Sequence, residues 1–588
     1  MRTRLLSLFI LLTTSLYAQP TVPQWAKDAV WYQIFPERFR NGNTKNDPTR
    51  EELELPADRA WKISPWTSDW YKLHPWEGAH RSGFYENVFD RRYGGDLQGV
   101  IEKLDYLKDL GVTALYFNPV FEAFSLHKYD ASTYHHIDNN FGPDRDGDRH
   151  AIEHETDDPG TWTWTAADKM FLKLIREAHA RGIRVIIDGV FNHCGTRFWA
   201  FEDVVRHQQA SRYSSWFDVR QWDMPSTPVK EFEYKGWWDY KSLPEFAETD
   251  SGFVPAVRIY FSNITKRWMD PNGDGNPSDG IDGWRLDVAN DVSPVFWKAW
   301  RKQVKGLNPE AYIVGEIWDD ASKWLSGDQF DAVMNYRFAR ACVKYFIDGT
   351  SKPTDVDKEL ADIRKDYAPE TNFILQNLLD SHDTDRLASM IANPGRRYDD
   401  RNGPRSNATY YTRKPSADTW RIQRLMAFFQ MTYLGAPMIY YGVEAGMWGA
   451  DDPDDRKPMV WQDLKYEPEA TGPEGQIWSP SDTVLFDASM HRYYRSLIRM
   501  RNTLAPLRRG DIGTLLTDNE RNHYGFIRTL GDSSVVVLIN NSGMSSTISP
   551  SLSGRFRNAL TGEVVGRDDA PLSITLDAQS GVALVPLH

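Results

Sequence analysis

A chain of 588 residues with 41% hydrophobic and 26% charged residues lies in the ordinary globular range and has ample material for a large core. That excludes a disordered, collagen-like or multi-span membrane protein. A net charge of −13 with no basic run argues against nucleic acid or anionic lipid as a partner.

The N-terminus reads as a targeting segment. Arg2 and Arg4 precede a largely apolar run from Leu5 to Leu16, too short to span a bilayer as a helix, and Ala18 is the expected last residue before cleavage. A cleaved signal peptide over 1–18 and a periplasmic or extracellular location follow as expectations. Strand and helix patterns then alternate. VWYQIF (30–35) reads as a strand, and Leu97 to Leu110 carries apolar residues at helical spacing, closed by Gly111. Val112 to Phe117 is a second strand. A helix from Ala166 to Ala180 stops at Gly182, and Val185 to Ile187 is a third strand ending in Asp188. Gly283 to Leu286, Tyr312 to Val314, Ala332 to Met334, Phe373 to Leu379 and Pro437 to Tyr440 supply five more. Met426 to Val443, although apolar, is broken by Gln430, Gly435 and Pro437 and reads as a buried helix followed by a buried strand. Eight such strands with helices between them predict an α/β fold, a (β/α)8 TIM barrel over 19–509. An acidic insertion at about 141–165 follows the second strand. Beyond Arg508 short Val/Ile/Leu runs alternate with turn residues, which predicts a C-terminal antiparallel β domain, a sandwich over 510–588.

The 23 Trp and 27 Tyr exceed what a core ordinarily needs, and flat rings with polar edges suit sugars. Cys194 and Cys342 are the only cysteines, which excludes a disulfide framework or a Cys-rich zinc site.

Carboxylates cluster just after the predicted strands, on the face where such barrels carry their chemistry: Asp188 in IIDGVFNHCG, Asp287 in GWRLDVAND, Glu316 in IVGEIWDD and Asp383 in LDSHDTDR. Arg285 lies two residues before Asp287, so on a strand both point to one face, where the arginine would keep the aspartate ionised. A second carboxyl in a less favourable setting can stay protonated. Splitting two carboxyls into those roles is the logic of glycosidases.

With these motifs the sequence resembles the α-amylase family of retaining glycoside hydrolases over nearly the whole chain. DGVFNH, GWRLDVAND, GEIWDD and LDSHDT are similar to the family's four signature segments in the same order, and GAPMIYYGVE (435–444) to a further one. GEIWDDASKWLSGDQFDAVMNY, HKYD (127–130) and DPDDRKPMVW (452–461) resemble neopullulanases, cyclomaltodextrinases and maltogenic amylases. The resemblance implies Asp287 as nucleophile, Glu316 as general acid/base and Asp383 as the carboxylate that grips and distorts the −1 sugar. It also implies sugar contacts from Tyr129, His193, Arg285, His382, Asp452 and Arg456, with Asp188 and Asn192 in support. Two departures stand out. The additional N-terminal β domain usual in that group is expected to be missing, because the first strand begins soon after the leader. Asp291 also stands where the relatives tend to have Glu, at a position expected to touch acceptor sugars.

Asn41, Asn43, Asn46 and Asp47 offer several hard oxygen ligands in one turn, suited to calcium or to a hydrogen-bonded Asx loop. The resemblance adds the Gly94 carbonyl and Asp96, and Asn43 replaces an Asp common in the relatives. Calcium is therefore the expected structural cofactor. Asp144, Asp146 and Asp148, and separately Asp270, Asn272 and Asp274, also alternate, but neither run completes an EF-hand; each is a metal loop or a solvated turn. Trp237 and Trp238 are either core or a sugar platform, and Trp162 and Trp164 either a surface platform or the core of the insertion.

The expected function is a secreted retaining hydrolase of α-1,4 links in starch-derived α-glucans, with an α-glucan oligosaccharide or polysaccharide as partner, no nucleic acid and no stable membrane insertion. The sequence carries no signal for oligomeric state. Sibling activities on pullulan, cyclodextrins or α-1,6 links, or transglycosylation, share the same −1 residues. A catalytically inactive glucan-binding protein would have lost one of the three carboxylates, and all three are present.

Overall fold

The computed structural model describes residues 22–587 except 54, 57, 58, 79–82 and 225. The leader segment expected over 1–18 lies outside the described residues, and among them no helix is long and apolar enough to cross a membrane.

Among the described residues, eight parallel strands form the central sheet: β1 (Trp31–Ile34), β2 (Ala114–Phe117), β3 (Arg184–Gly189), β4 (Gly283–Leu286), β5 (Tyr312–Gly315), β6 (Ala332–Val333), β7 (Gln376–Asn377) and β8 (Ala436–Tyr440). Each pairs with the next in order. Trp31 lies opposite Met438 to join β1 to β8, and a bridge from Met334 to Gln376 joins β6 to β7, so the sheet closes into a barrel. The strands read as continuous apolar runs because both faces are covered: β1, β2, β4 and β5 are buried at every residue.

Two connecting helices begin and end where the sequence predicts, whereas the buried helix expected from Met426 starts earlier, at Ala417, and ends at Thr432. Asp96 caps Leu97–Leu110 by accepting from the Gly99 N–H at 2.6 Å, and Gly111 closes that helix at φ 100°. Thr165 and Asp168 form a capping box on Ala166–Ala180. Gly283 is needed at the head of β4: its φ is 155°, and a Cβ there would meet the Tyr312 carbonyl oxygen at 2.0 Å.

The predicted strands over 332–334 and 373–379 shrink to two residues each, since β6 and β7 spend their flanks on turns. The insertion at 141–165 contains the helix Arg145–Ala151 and the turn Pro159–Thr161. A longer excursion, 190–254, follows β3 and was not separable in the sequence. It carries the helix Trp199–His207 and two ribbons with strands of only two or three residues, too short to leave a period.

The C-terminal region is a six-stranded antiparallel sheet and a two-stranded ribbon, Ser546–Ile548 with Ile574–Leu576. Val536, Leu538, Phe556, Val582 and Leu584 of the sheet share a core with Ile548 and Leu576 of the ribbon. Arg528, fully buried, ties the sheet to the barrel by donating to the Thr432 and Gly510 carbonyls at 2.9 and 2.8 Å.

Candidate active site

The carboxyl ends of the barrel strands bring four carboxylates and one guanidinium together. Asp188 lies opposite Arg285 in the β3–β4 register, Asp287 follows β4 and Glu316 follows β5. Arg285, with no solvent exposure, forks across them. Its Nη1 donates to Asp188 at 2.8 and 2.9 Å and to Asp287 Oδ1 at 2.8 Å, while Nη2 reaches Glu316 Oε2 at 2.8 Å. Glu316 accepts two further bonds, from the Val288 N–H and the Trp318 indole, both at 3.1 Å. Val288 sits at φ 39°, costly for a β-branched residue by roughly 1–3 kcal/mol, and this backbone aims its N–H at Glu316.

Burial first, then the Glu316 and Asp188 charges, push the Asp287 carboxyl well above the usual range against the pull of Arg285. Burial and Glu316 push Asp383 up to about 8, against Arg456 and Arg285. Burial and carboxylate neighbours thus raise Asp287 and Asp383 while two guanidinium groups oppose them, an electrostatic setting in which carboxyl groups can divide acid and base roles.

A second layer orders this set. The Tyr129 hydroxyl lies 3.0 Å from Asp188 Oδ2 and 2.5 Å from His382 Nε2, and the Tyr129 and His382 rings stack at 5.5 Å. His382 Nε2 is 3.2 Å from Asp383 Oδ2. Arg456 links Asp383 (3.4 Å), Asp452 (3.1 Å) and the His382 carbonyl (2.9 Å). His193 is buried with its ring 5.3 Å from Trp237, and burial lowers its pKa to about 3. Burial, with Arg456 and Arg285, lowers His382 well below its ordinary value, so both histidines are neutral hydrogen-bonding groups. Thus Asp287, Glu316, Asp383, Arg285, Tyr129, His382, Asp452 and Arg456 form one connected cluster, with His193 beside it under Trp237.

Residues that sequence reasoning missed complete the network. Gln33 in β1 is fully buried and its Nε2 lies 2.8 Å from His382 Nδ1 and 3.0 Å from Asn118 Oδ1. Asn118 donates to the Tyr129 hydroxyl at 3.0 Å, and Tyr116 donates to Asp188 at 2.8 Å. The available signal was a polar residue inside or just after an otherwise apolar barrel strand.

The aromatic pairs separate. Trp238 is 75% exposed and stacks on Trp237 at 5.0 Å, and the Trp237 indole donates to Asp291 at 2.9 Å, so this pair is a surface beside the cluster and not core. Trp162 stacks on His135 at 4.3 Å and Trp164 lies under Arg267 at 3.7 Å, which makes them packing for the insertion.

The loop at 41–47 presents a pocket of oxygens. Among the described residues, Asn41 Oδ1 and Asn46 Oδ1 are buried without a hydrogen-bond partner, and a Cβ on Gly94 (φ 77°) would fall 2.4 Å from Asp47 Oδ1. Asp47 is pushed up to about 6 by burial, then by the charges of Asp96 and Glu37, opposed by a hydrogen bond from Asn41. Orphaned oxygens and a carboxylate short of positive charge fit a hard cation. Two members depart from the expected set: Asp96 already accepts from the N–H groups of Gly42, Asn43 and Gly99, and the Asn43 Oδ1 accepts from Lys45 N–H at 3.2 Å. The Asp144–Asp148 run opens a helix, where Asp144 caps Gly147 and Asp148 accepts from Ala166 and Ala167. The Asp270 run folds as successive Asx turns, with Asn272 accepting from Asp274 N–H at 2.8 Å and Asp274 from Asn276 N–H at 2.7 Å.

This geometry has counterparts. The family described as alpha amylase, catalytic domain, matches over residues 33–157 and 165–510. The chain is 37% identical over 569 residues to neopullulanase 2 of Thermoactinomyces vulgaris, covering 96% of this chain and 78% of that one. It is 34% identical over 558 residues to a cyclomaltodextrinase of Geobacillus thermopakistaniensis, covering 94% and 76%. Among solved structures, the cyclic α-maltosyl-(1→6)-maltose hydrolase of Arthrobacter globiformis in its ligand-free form aligns with a TM-score of 0.69 at 27% identity, covering 96% of this chain and 99% of that one. The barrel, its carboxylate cluster and these matches together place the chain in the α-amylase family of glycoside hydrolases.

Proposed function

We propose that the protein hydrolyses α-1,4-glucosidic bonds of starch-derived glucans with retention of configuration. The observation that carries this reading is the Arg285 fork, which holds Asp287 and Glu316 on its two nitrogens at 2.8 Å each. Asp287, with Oδ1 held by Arg285, attacks the anomeric carbon through Oδ2. Glu316 gives its proton to the departing glycosidic oxygen as the glycosidic bond breaks and the glycosyl–Asp287 ester forms. Glu316 then takes a proton from water, whose oxygen displaces Asp287, and the α configuration is restored. Asp383, steered by Arg456 and His382, grips the hydroxyls of the −1 sugar; Tyr129 stacks on its face, and neutral His193 and His382 hydrogen-bond its hydroxyls. Product analysis on amylose, pullulan and a cyclodextrin, with an NMR time course of the new anomer, tests this. α-Anomer released first from amylose is expected, and β-anomer first would overturn the mechanism.

A second reading rests on the names of the relatives: cyclodextrin opening or pullulan cleavage as the preferred activity. The same analysis decides between them by relative rate.

Calcium is proposed as a structural ion held by Asn41, Asn46, Asp47 and the Gly94 carbonyl, with Asp96 and Asn43 ordering the loop. When bound it would supply charge and rigidity to the chain that follows β1, and no chemistry at the sugar. Export through a cleaved leader is also proposed, on Arg2, Arg4 and the apolar run that follows. N-terminal sequencing of protein from its native host should begin near Gln19, and an intact Met1 would refute it.

A further inference from the structure

Away from the carboxylate cluster, where the loop after β2 meets the insertion, two histidines converge on one carboxylate oxygen. His135 Nε2 lies 3.1 Å and His136 Nε2 2.5 Å from Glu155 Oε2, and the three ligand atoms fall within 4.8 Å of one another. All three side chains are at most 6% exposed. We infer that His135, His136 and Glu155 form a structural site for a divalent transition metal of the zinc class, which clips the insertion to the barrel.

Three features support this. First, the ligand types match zinc: two imidazole nitrogens and a carboxylate, with a fourth position for water. Ligand atoms on one tetrahedral zinc stand about 3.4 Å apart, given bond lengths of about 2.0–2.2 Å, so side-chain shifts of under about 1 Å would admit the ion. Second, the other nitrogen of each ring is already engaged. His136 Nδ1 lies 2.8 Å from Asp168 Oδ2, and His135 Nδ1 lies 2.9 Å from both the Tyr260 hydroxyl and Thr133 Oγ1. That is how metal-binding histidines are oriented, with an outer acceptor fixing the ring and its tautomer. Glu155 is held in the same manner, because its Oε1 accepts from the Thr163 N–H and hydroxyl at 2.7 and 2.9 Å. Third, His136 stands between two carboxylates, Glu155 on one ring nitrogen and Asp168 on the other, and Arg267 lies 3.0 Å from Asp168 with its charge also reaching Glu155. A hydrogen bond from each ring nitrogen of His136 would require a second proton on that ring. A metal on Nε2 leaves Nδ1 free to donate to Asp168.

The rival occupant is that second proton, and the experiment separates the two. The purified full chain is stripped with a chelator, dialysed, loaded with zinc sulfate, freed of excess metal and analysed by plasma mass spectrometry. About one zinc per chain is expected. Glu155→Gln and His136→Gln should each lower retained zinc at least ~10-fold while native circular dichroism persists. Excess calcium should not displace the zinc, because two imidazoles are poor ligands for a hard cation. Should a variant fail to fold, X-ray absorption on the zinc-loaded wild-type chain reads the ligands directly, and two imidazoles with one carboxylate are expected. Absence of retained zinc in the wild type would overturn the proposal in favour of a doubly protonated His136. Zinc retained equally by Glu155→Gln, or an all-oxygen shell, would overturn it in favour of adventitious surface binding.

Discussion

Replacing Arg285 by Lys keeps the charge but removes the fork, and the consequences follow from the contacts. Arg285 donates a charge-assisted hydrogen bond of 2.8 Å to Asp287 and another to Asp188 through one nitrogen, and through the other it forms an ion pair with Glu316 at 2.8 Å. A lysine ammonium is a single point on a flexible stem, and it cannot reproduce a planar, two-nitrogen grip. Losing one or two charge-assisted hydrogen bonds, each worth about 1.5–3 kcal/mol, places the loss at about 1.5–6 kcal/mol. Expressed wholly in the transition state, that is roughly ten-fold to about 25,000-fold in kcat/KM. The sign of the accompanying pH effect is fixed. Asp287 already lies above the usual range because of burial and its carboxylate neighbours, and Arg285 is the group that lowers it. Weakening that pull raises the pKa further, so the ascending limb of the pH–rate profile, which reports ionisation of the nucleophile, moves to higher pH. The assay is kcat and KM on maltotetraose across pH, beside a thermal melt to establish that the variant is folded. A folded Arg285→Lys enzyme with kcat/KM within threefold of wild type and an unmoved ascending limb would refute the argument.

Asp287→Ala and Glu316→Gln should each cut turnover by orders of magnitude with little change in melting temperature, read from single-turnover kinetics and melts of the same preparations. Chelation by EDTA should lower the melting temperature, and calcium restored at ~100 Kd should return about 2.7 kcal/mol; Asp47→Ala should abolish that response and Asp144→Ala should preserve it. Trp238→Ala, at a 75% exposed position, should shift stability by under about 0.5 kcal/mol, yet raise KM for long oligosaccharides more than for maltotriose.

The barrel was legible because its signals are local and repeated. Helix Leu97–Leu110 announces both ends, by Asp96 and Gly111, and the buried strands read as apolar runs closed by a carboxylate. The carboxylate cluster was legible for the same reason, since each member sits at or near the end of a strand in a short motif. What escaped detection lacks a local signal. Gln33 shows its role only when β1 is folded beside the loop that carries His382, 349 positions away in the chain. The ribbons of the 190–254 excursion have strands too short to express a period. The His135, His136 and Glu155 cluster is likewise assembled from two segments, and neither resembles a metal motif by itself.

The carboxylate cluster and the aromatic surface beside it are therefore built on different kinds of backbone. Arg285, Asp287 and Glu316 are set by strand register and by the Val288 backbone, so their geometry is specified by the barrel itself. Trp237 and Trp238 come from the excursion after β3, yet the Trp237 indole is tied by a 2.9 Å hydrogen bond to Asp291, four residues past Asp287. That bond joins the excursion to the strand end bearing the carboxylate, so a change in the aromatic surface is felt close to the chemistry. Aspartate at 291 is one methylene shorter than the glutamate expected there from the family resemblance. Lengthening that side chain by Asp291→Glu should displace the Trp237 ring and change KM for long oligosaccharides while leaving the Arg285 fork in place, and an unchanged KM would refute the link.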